Sequence, residues 1–110
     1  MIKLSLHATA RNLSAAAARA SSGRASETVY GGHANRLRQT VIALTEGSRL
    51  APHESPGEAT VIVLHGRVRL TTAADAWEGR EGDLIVVPNQ THGLEALTDA
   101  SVILTVATSG

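Results

Sequence analysis

The stretch that decides the fold is GSRLAPHESPGEATVIVLHG, residues 47–66. Its run TVIVL, residues 60–64, is apolar at consecutive positions, which is typical of a strand that is covered on both faces. The turn-forming residues SPGE, at 55–58, separate this run from a strand-like segment before it. His53 and Ser55 lie in the same stretch with two glutamates, so residues that can bind metals or polar ligands accompany the predicted strands.

Similar short runs rich in Val, Ile, Leu and Thr recur after residue 23. They lie at residues 37–45, 60–64, 68–72, 83–87 and 101–108, and signals containing Gly, Pro, Asp or Asn separate them. His65 and Gly66 stand between two of these runs and predict a hairpin turn. Many short strands with tight turns and no helical pattern between them predict an all-β, antiparallel sandwich or barrel.

One helix is predicted before the strands, at residues 5–22. Ser5 can cap its N-terminus and Gly23 can end it. Its apolar stripe is narrow, so we expect the helix to rest on a larger surface. The stripe consists of Leu6, Ala10, Leu13, Ala17 and Ala20. The chain is thus divided into an N-terminal helical arm, residues 1–27, and a barrel domain, residues 28–110.

The composition limits the class of protein. A chain of 110 residues suits one domain, and with 2% aromatic residues its core must be built from Val, Ile, Leu and Ala. There is no cysteine, which excludes disulfides and thiolate metal sites. No apolar run approaches the ~18 residues of a membrane span, and no signal-peptide pattern is present. We therefore expect a cytoplasmic protein that does not bind membranes.

The charge is zero in total but unevenly distributed. Residues 1–40 carry six basic residues and one acidic residue, a net charge of +5, whereas residues 41–110 carry a net charge of −5. Zero net charge argues against nucleic-acid binding. A basic arm on an acidic body favours docking within the chain or onto a second subunit.

Two sequence blocks resemble the motifs of the cupins, which are small double-sheet barrels. In the first block Gly47, five residues, and then His53 match, and Gly66 closes the motif. In the second block Gly82, five residues, and then Pro88 match, and His92 follows three residues later. The resemblance covers about residues 36–108 and is closest to small, single-domain bacterial cupins of the cupin-2 type.

The resemblance implies a jelly-roll barrel with His53 and His92 inside it, facing one cavity. Two of the four metal ligands that the family pattern expects are absent, because Ser55 replaces a histidine and Ala59 replaces a glutamate. Two histidines can begin a site for Zn, Fe, Ni or Mn, but catalytic zinc normally has three protein ligands. The sequence therefore predicts an altered site.

Other residues can complete or replace this site. Glu58 neighbours the missing carboxylate, although alternation along a strand directs it outward unless a bulge intervenes. His33, in a glycine-flanked loop, is a weaker candidate metal ligand. Without a metal, His53 and His92 are expected to bond Ser55, Gln39 or the backbone and to line a ligand pocket.

Two function classes follow. The first is a small-molecule-binding cupin without turnover. The second is a metal-dependent dioxygenase, isomerase or lyase that uses His53 and His92, with no catalytic residue assigned with certainty. An interaction module with a filled barrel is a third reading. A homodimer is expected, as the resemblance also implies, with residues 61–64 or the segment before residue 30 reaching the partner.

Overall fold

The computed structural model describes residues 1–54 and 57–108. The elements are α1 (Leu6–Arg19), β1 (Arg24–Tyr30), β2 (Leu37–Leu44), β3 (Arg49–His53), β4 (Gly57–His65), β5 (Arg67–Thr71), β6 (Ala76–Arg80), β7 (Leu84–Val86), β8 (His92–Ala96) and β9 (Ala100–Thr108). No helix in the described ranges is long and apolar enough to cross a membrane.

The nine described strands form two sheets in which each paired strand is antiparallel to its neighbours. The five-stranded sheet has the order β1-β2-β9-β4-β7, and the four-stranded sheet has the order β3-β8-β5-β6. The two sheets remain separate, so the molecule is a double-sheet jelly roll that is not closed into a continuous barrel. The all-β class with one N-terminal helix, predicted from the sequence, is confirmed.

The core lies between the two sheets and is aliphatic, as the low aromatic content predicts. Along β4 the side chains alternate, so Ala59, Val61 and Val63 are buried among core residues while Ile62 and Leu64 are half-buried on the other face. The four-stranded sheet contributes the facing layer, which includes Val68, Leu70, Leu94 and Ala96. This alternation defines an inner and an outer face for every strand.

Helix α1 packs on the outer face of the five-stranded sheet. The Ser5 hydroxyl accepts a hydrogen bond from the Ala8 backbone N–H at 3.1 Å, which caps the helix as predicted. Ala10 is buried against Val41 and Ile103 of the sheet. The helix therefore covers part of the apolar outer face of this sheet, and the contacts of Ala10 there are apolar.

Three strands, β1, β6 and β8, have no counterpart among the predicted runs, and a fourth, β3, was anticipated only as a strand-like segment before residue 55. β1, RASETVY, is largely exposed at a sheet edge; β3, RLAPH, contains a proline; β6, AWEGR, and β8, HGLEA, each contain a glycine. These sequences lack the apolar alternation on which strand prediction depends. β1 also crosses the boundary drawn after residue 27, and it pairs with β2 along most of its length.

The turn at His65 and Gly66 is a correction to the sequence-based prediction. It was expected to close a hairpin, but β4 belongs to the five-stranded sheet and β5 to the four-stranded sheet, so the turn connects the two layers. Gly66 has φ of 77°, and an added Cβ would collide with the Asp99 carbonyl oxygen. Glycine is required there because both the backbone angle and the space exclude a side chain.

Candidate functional site

His92 lies at the first position of β8 and faces the core. It shares a strand face with Leu94 and Ala96, which are both core residues, and it is only 7% exposed. His92 is therefore a buried polar residue at the end of the sandwich where β4 begins and β9 ends. We refer to this end as the open end.

A hydrogen bond orients the His92 ring. Nδ1 lies 2.9 Å from the backbone carbonyl oxygen of Gln90. A carbonyl oxygen can only accept, so Nδ1 carries the proton that it donates, and in the neutral ring Nε2 is the nitrogen that holds a lone pair. This hydrogen bond fixes the orientation of the ring and its tautomer.

Position 53 is directly opposite position 92 in the β3–β8 backbone register. The two positions thus lie on neighbouring strands of the four-stranded sheet. The side chain of His53 and the whole of Ser55 lie outside the described residues. That the two imidazoles share one cavity therefore remains a prediction.

The position of the missing glutamate is occupied by Ala59, which faces inward and is buried in the core. Glu58 lies on the outer face and is exposed. From Gly57 to Val63 the register with β9 is continuous, so no bulge turns Glu58 inward. Glu58, a weak candidate metal ligand in the sequence, is thus on the opposite face of β4 from His92.

Gln39, a further candidate, lies away from the core that His92 faces. Gln39 is in register with Thr105 and shares a strand face with Val41, which packs against α1. Its Nε2 donates to the Thr105 hydroxyl at 3.2 Å. Gln39 therefore lies on the outer face, and its predicted place in the ligand pocket is not supported. His33 is exposed in the loop between β1 and β2.

A polar cleft at the open end was missed by the sequence analysis. Glu54, Asn89, Gln90 and Thr91 line a cavity of about 200 Å³, which we call the open-end cleft. Asn89 also borders a second cavity of about 380 Å³ beside the ends of β4 and β9. The signal was the polar loop NQT immediately before His92, which had been interpreted only as a turn.

The described residues do not fit a cupin metal centre. Ala59 has no donor atom and Glu58 is on the outer face. Of the two histidines of the family pattern, only the side chain of His92 is described, and it faces inward. Within residues 1–54 and 57–108 no group of three or more His, Asp or Glu side chains is placed to hold a metal ion. A three-ligand catalytic site would need donors beyond those that the described side chains supply.

The resolved pKa shifts lie away from the open end. On the outer face of the four-stranded sheet, Arg69 Nη2 is 2.9 Å from a Glu78 carboxylate oxygen, and Arg67 Nη2 is 3.3 Å from the other. The hydrogen bond and charge of Arg69 lower the pKa of Glu78, and the same hydrogen bond and charge raise the pKa of Arg69. These exposed pairs join strands and belong to the stability of the sheet.

Comparison with known proteins supports the fold. No known protein-family profile matches the sequence, and no curated protein matches it. A conserved protein of unknown function from Streptococcus pyogenes is 28% identical with a TM-score of 0.73, and the match covers 83% of this chain and 79% of that one. A cupin superfamily protein from Desulfitobacterium hafniense is 14% identical with a TM-score of 0.71 and covers 78% of each chain. KdgF from Halomonas sp. is 21% identical with a TM-score of 0.66, covering 79% of this chain and 82% of that one.

The chain is therefore a cupin-fold protein. The two cupin-like sequence blocks predicted this fold, and the structural neighbours confirm it. Because fold does not confer function, the activity must be argued from the site.

Proposed function

We propose that this protein is a cupin that binds a small polar molecule at the open end without turning it over. The observation that carries the proposal is the open-end cleft, whose four lining residues are all polar and include Gln90, the residue whose carbonyl oxygen is bonded to the buried His92 ring. Ligand sites in proteins use a few convergent polar groups to orient and recognise the ligand.

The side chains of the cleft indicate the kind of ligand. Asn89 and Gln90 each offer an amide donor and acceptor, Glu54 offers carboxylate acceptors, and Thr91 offers a hydroxyl. This set suits hydroxyl and carbonyl groups, and a volume of about 200 Å³ suits a molecule the size of a monosaccharide or a small hydroxy acid. His92 follows Thr91 directly in the chain, and its side chain is buried at the start of β8.

A metal-dependent enzyme of dioxygenase, isomerase or lyase type is the second candidate. The backbone register of positions 53 and 92 favours it, since histidines occupy both positions and two imidazoles can begin a site for Zn, Fe, Ni or Mn. It requires a further donor and a positioned base or activated water. Ala59 and the outward-facing Glu58 supply neither at the inner face.

Binding is tested by titrating ¹⁵N-labelled protein with a panel of monosaccharides and hydroxy acids and following amide shifts by NMR. We expect saturable shifts at Asn89, Gln90 and Thr91 with at least one compound. Asn89→Ala and His92→Ala should weaken that binding by roughly tenfold or more, because each removes a polar contact in a partly buried site.

Gln39→Ala is the matched control, because it removes an amide on the outer face that is bonded to Thr105. Its binding should equal that of the wild type. Elemental analysis and native mass spectrometry of the untagged protein separate the two candidates. A stoichiometric transition metal lost in His92→Ala would favour the metal-dependent enzyme over the proposal.

A further inference from the structure

A cavity lies between helix α1 and the sheet that this helix covers. Its volume is about 350 Å³, and its lining includes Ala10 of α1, Leu64 near the end of β4 and Ser101 near the start of β9. The open end is where β4 begins and β9 ends, so this cavity is at the other end of the same two strands. We call it the helix–sheet cavity, and it is separate from the open-end cleft.

Ser101 is the residue that distinguishes this cavity from an ordinary surface groove. It is 1% exposed, and within the described residues it and His92 are the two buried polar side chains. The His92 ring is bonded to the Gln90 carbonyl oxygen, whereas no described residue shares a hydrogen bond with the Ser101 hydroxyl. Among the described side chains no fully enclosed oxygen or nitrogen lacks a hydrogen bond, so the Ser101 hydroxyl reaches the surface of the cavity that it lines.

The packing of the sheet does not need this hydroxyl. Ser101 is in register with Ala43, which is fully buried on the same face of the sheet. Alanine at position 101 would occupy almost the same volume without burying a polar group, which costs free energy when it is unpaired. The Ser101 hydroxyl therefore provides a hydrogen-bonding group at the floor of the cavity.

Helix α1 contributes three polar side chains to the lining: His7, Arg11 and Ser14. Their spacing of four and three residues places them on one face of the helix. Within the described residues none of these side chains takes part in an ion pair or a hydrogen bond. The planar Arg11 guanidinium is therefore available to bind a carboxylate through two parallel hydrogen bonds.

The sheet contributes a negative charge to the same cavity. Glu81 lies in the turn between β6 and β7, and one of its carboxylate oxygens is 3.7 Å from Nδ1 of His65. Within the described residues the other oxygen has no partner and can accept hydrogen bonds from an ammonium group. Arg11 and Glu81 form no ion pair with each other, although both line the cavity. Two opposite charges thus lie on one cavity without reaching each other.

We propose that the helix–sheet cavity binds a free α-amino acid with an apolar side chain. The ligand carboxylate pairs with Arg11 and its ammonium group with Glu81, because a zwitterion carries both charges and bridges the gap between them. The Ser101 hydroxyl bonds the polar end of the ligand, while Ala10 and Leu64 provide an apolar surface for its side chain. A volume of about 350 Å³ is within the range of small-molecule sites.

Binding is tested by titrating ¹⁵N-labelled protein with L-alanine, L-valine and L-leucine and following amide shifts by NMR. We expect saturable shifts at Ser14, His65 and Ser101 with at least one of them. The tightest ligand is then compared with the carboxylic acid that lacks its ammonium group and with the amine that lacks its carboxylate. Each analogue should bind roughly tenfold more weakly, because it loses one of the two charged contacts.

Two results of this titration would overturn the proposal. One is the absence of saturable shifts at Ser14, His65 and Ser101 with all three amino acids, including the case in which the shifts are confined to the residues of the open-end cleft. The other is an analogue that binds as tightly as the amino acid, which would mean that the cavity does not recognise a zwitterion.

Charge-removing variants locate the two contacts. Arg11→Gln and Glu81→Gln should each weaken binding of the amino acid roughly tenfold. Arg19→Gln is the matched control, because it makes the same change in the last turn of α1 at a residue that does not line the cavity. Its affinity should equal that of the wild type, and equal affinities of Arg11→Gln and Arg19→Gln would contradict the assigned carboxylate contact.

Ser101→Ala separates ligand binding from packing. It should weaken binding several-fold, because the ligand loses a hydrogen bond, while the Tm of the ligand-free protein stays the same or rises. The measurements are the NMR titration and a thermal melt without amino acid. Unchanged binding together with a lower Tm would show that the hydroxyl stabilises the fold instead, and would overturn its role in the site.

Discussion

Ala59 is the residue at which this chain departs most clearly from a metal-binding cupin. The sequence places alanine where the family pattern expects glutamate, and period-two alternation predicts that Ala59 faces inward and Glu58 outward. Both placements are confirmed, because the β4 register is unbroken there. His92 is likewise buried. The prediction that Gln39 lies in the ligand pocket is not supported, because one polar residue does not show which face of β2 points inward when the partner strand is unknown.

Ala59→Glu tests whether positions 53, 59 and 92 share a cavity. The new carboxylate would enter the apolar core beside Val106, so the free energy of unfolding should fall by about 2–5 kcal/mol. If the two imidazoles face it, three donors become available and zinc should raise the Tm of the variant. The measurement is a thermal melt with and without zinc.

Ala59→Gln controls for the size and polarity of the new side chain, and Ala59→Glu combined with His92→Ala removes one imidazole. Zinc should stabilise neither of them to the same extent. Equal zinc effects in all three proteins, or no effect in Ala59→Glu, would show that positions 53 and 92 do not face position 59.

At the scale of secondary-structure elements, the strands that could be predicted were those that contain an apolar run. β2, β4 and β9 were predicted because they form the centre of the five-stranded sheet and their apolar runs are buried. Strands β1, β6 and β8 were missed, and β3 was anticipated only as a strand-like segment. All four have polar residues, proline or glycine in place of such runs. Three of them are edge strands, whose positions depend on pairing with distant strands that no local pattern reveals.

The turn between the two sheets gives a prediction at this scale. Gly66→Ala should lower the free energy of unfolding by about 1–3 kcal/mol, because alanine disfavours a φ of 77° and its Cβ would meet the Asp99 carbonyl. Gly32→Ala is the control, since no atom lies within 4 Å of the added Cβ and the backbone there is not left-handed. Urea unfolding at pH 7 compares the two variants, and equal losses would contradict the argument.

The strand pair β5–β6 gives a pH-dependent prediction. The hydrogen bond and charge of Arg69 hold the pKa of Glu78 below its usual value. A lowered folded-state pKa stabilises the fold above the unfolded-state pKa, and this contribution is lost as the pH falls through the folded-state pKa. Glu78→Gln should therefore cause a small loss of stability at pH 7 that disappears in strong acid.

Urea unfolding of Glu78→Gln and wild type between pH 7 and pH 2 measures this difference. Glu27→Gln is the control, because Glu27 forms no ion pair within the described residues. A difference between Glu78→Gln and wild type that grows toward acid pH would reverse the assigned sign.

At the scale of the whole molecule, the position of α1 is determined by apolar packing and not by the charge asymmetry of the chain. The sequence suggested that the basic arm docks by charge. In the structure, α1 packs on its own sheet through Ala10, Val41 and Ile103, and its described arginines form no ion pair with the body. Apolar burial thus positions the helix, and its charges stay available at the surface.

Deletion of residues 1–22 tests this division of roles. Val41 is fully buried and Ile103 is 6% exposed, and both would become part of one apolar face with Ile62 and Leu64. Because an uncovered apolar face of this size favours association, we expect a lower Tm and concentration-dependent self-association at micromolar concentrations. Arg11→Glu combined with Arg19→Glu changes the charge of the helix by a larger amount than the deletion does, yet leaves the apolar cover intact. That variant should keep the wild-type Tm, as measured by differential scanning calorimetry. If the truncated chain has the same Tm as the wild type, the helix is not needed to cover the sheet.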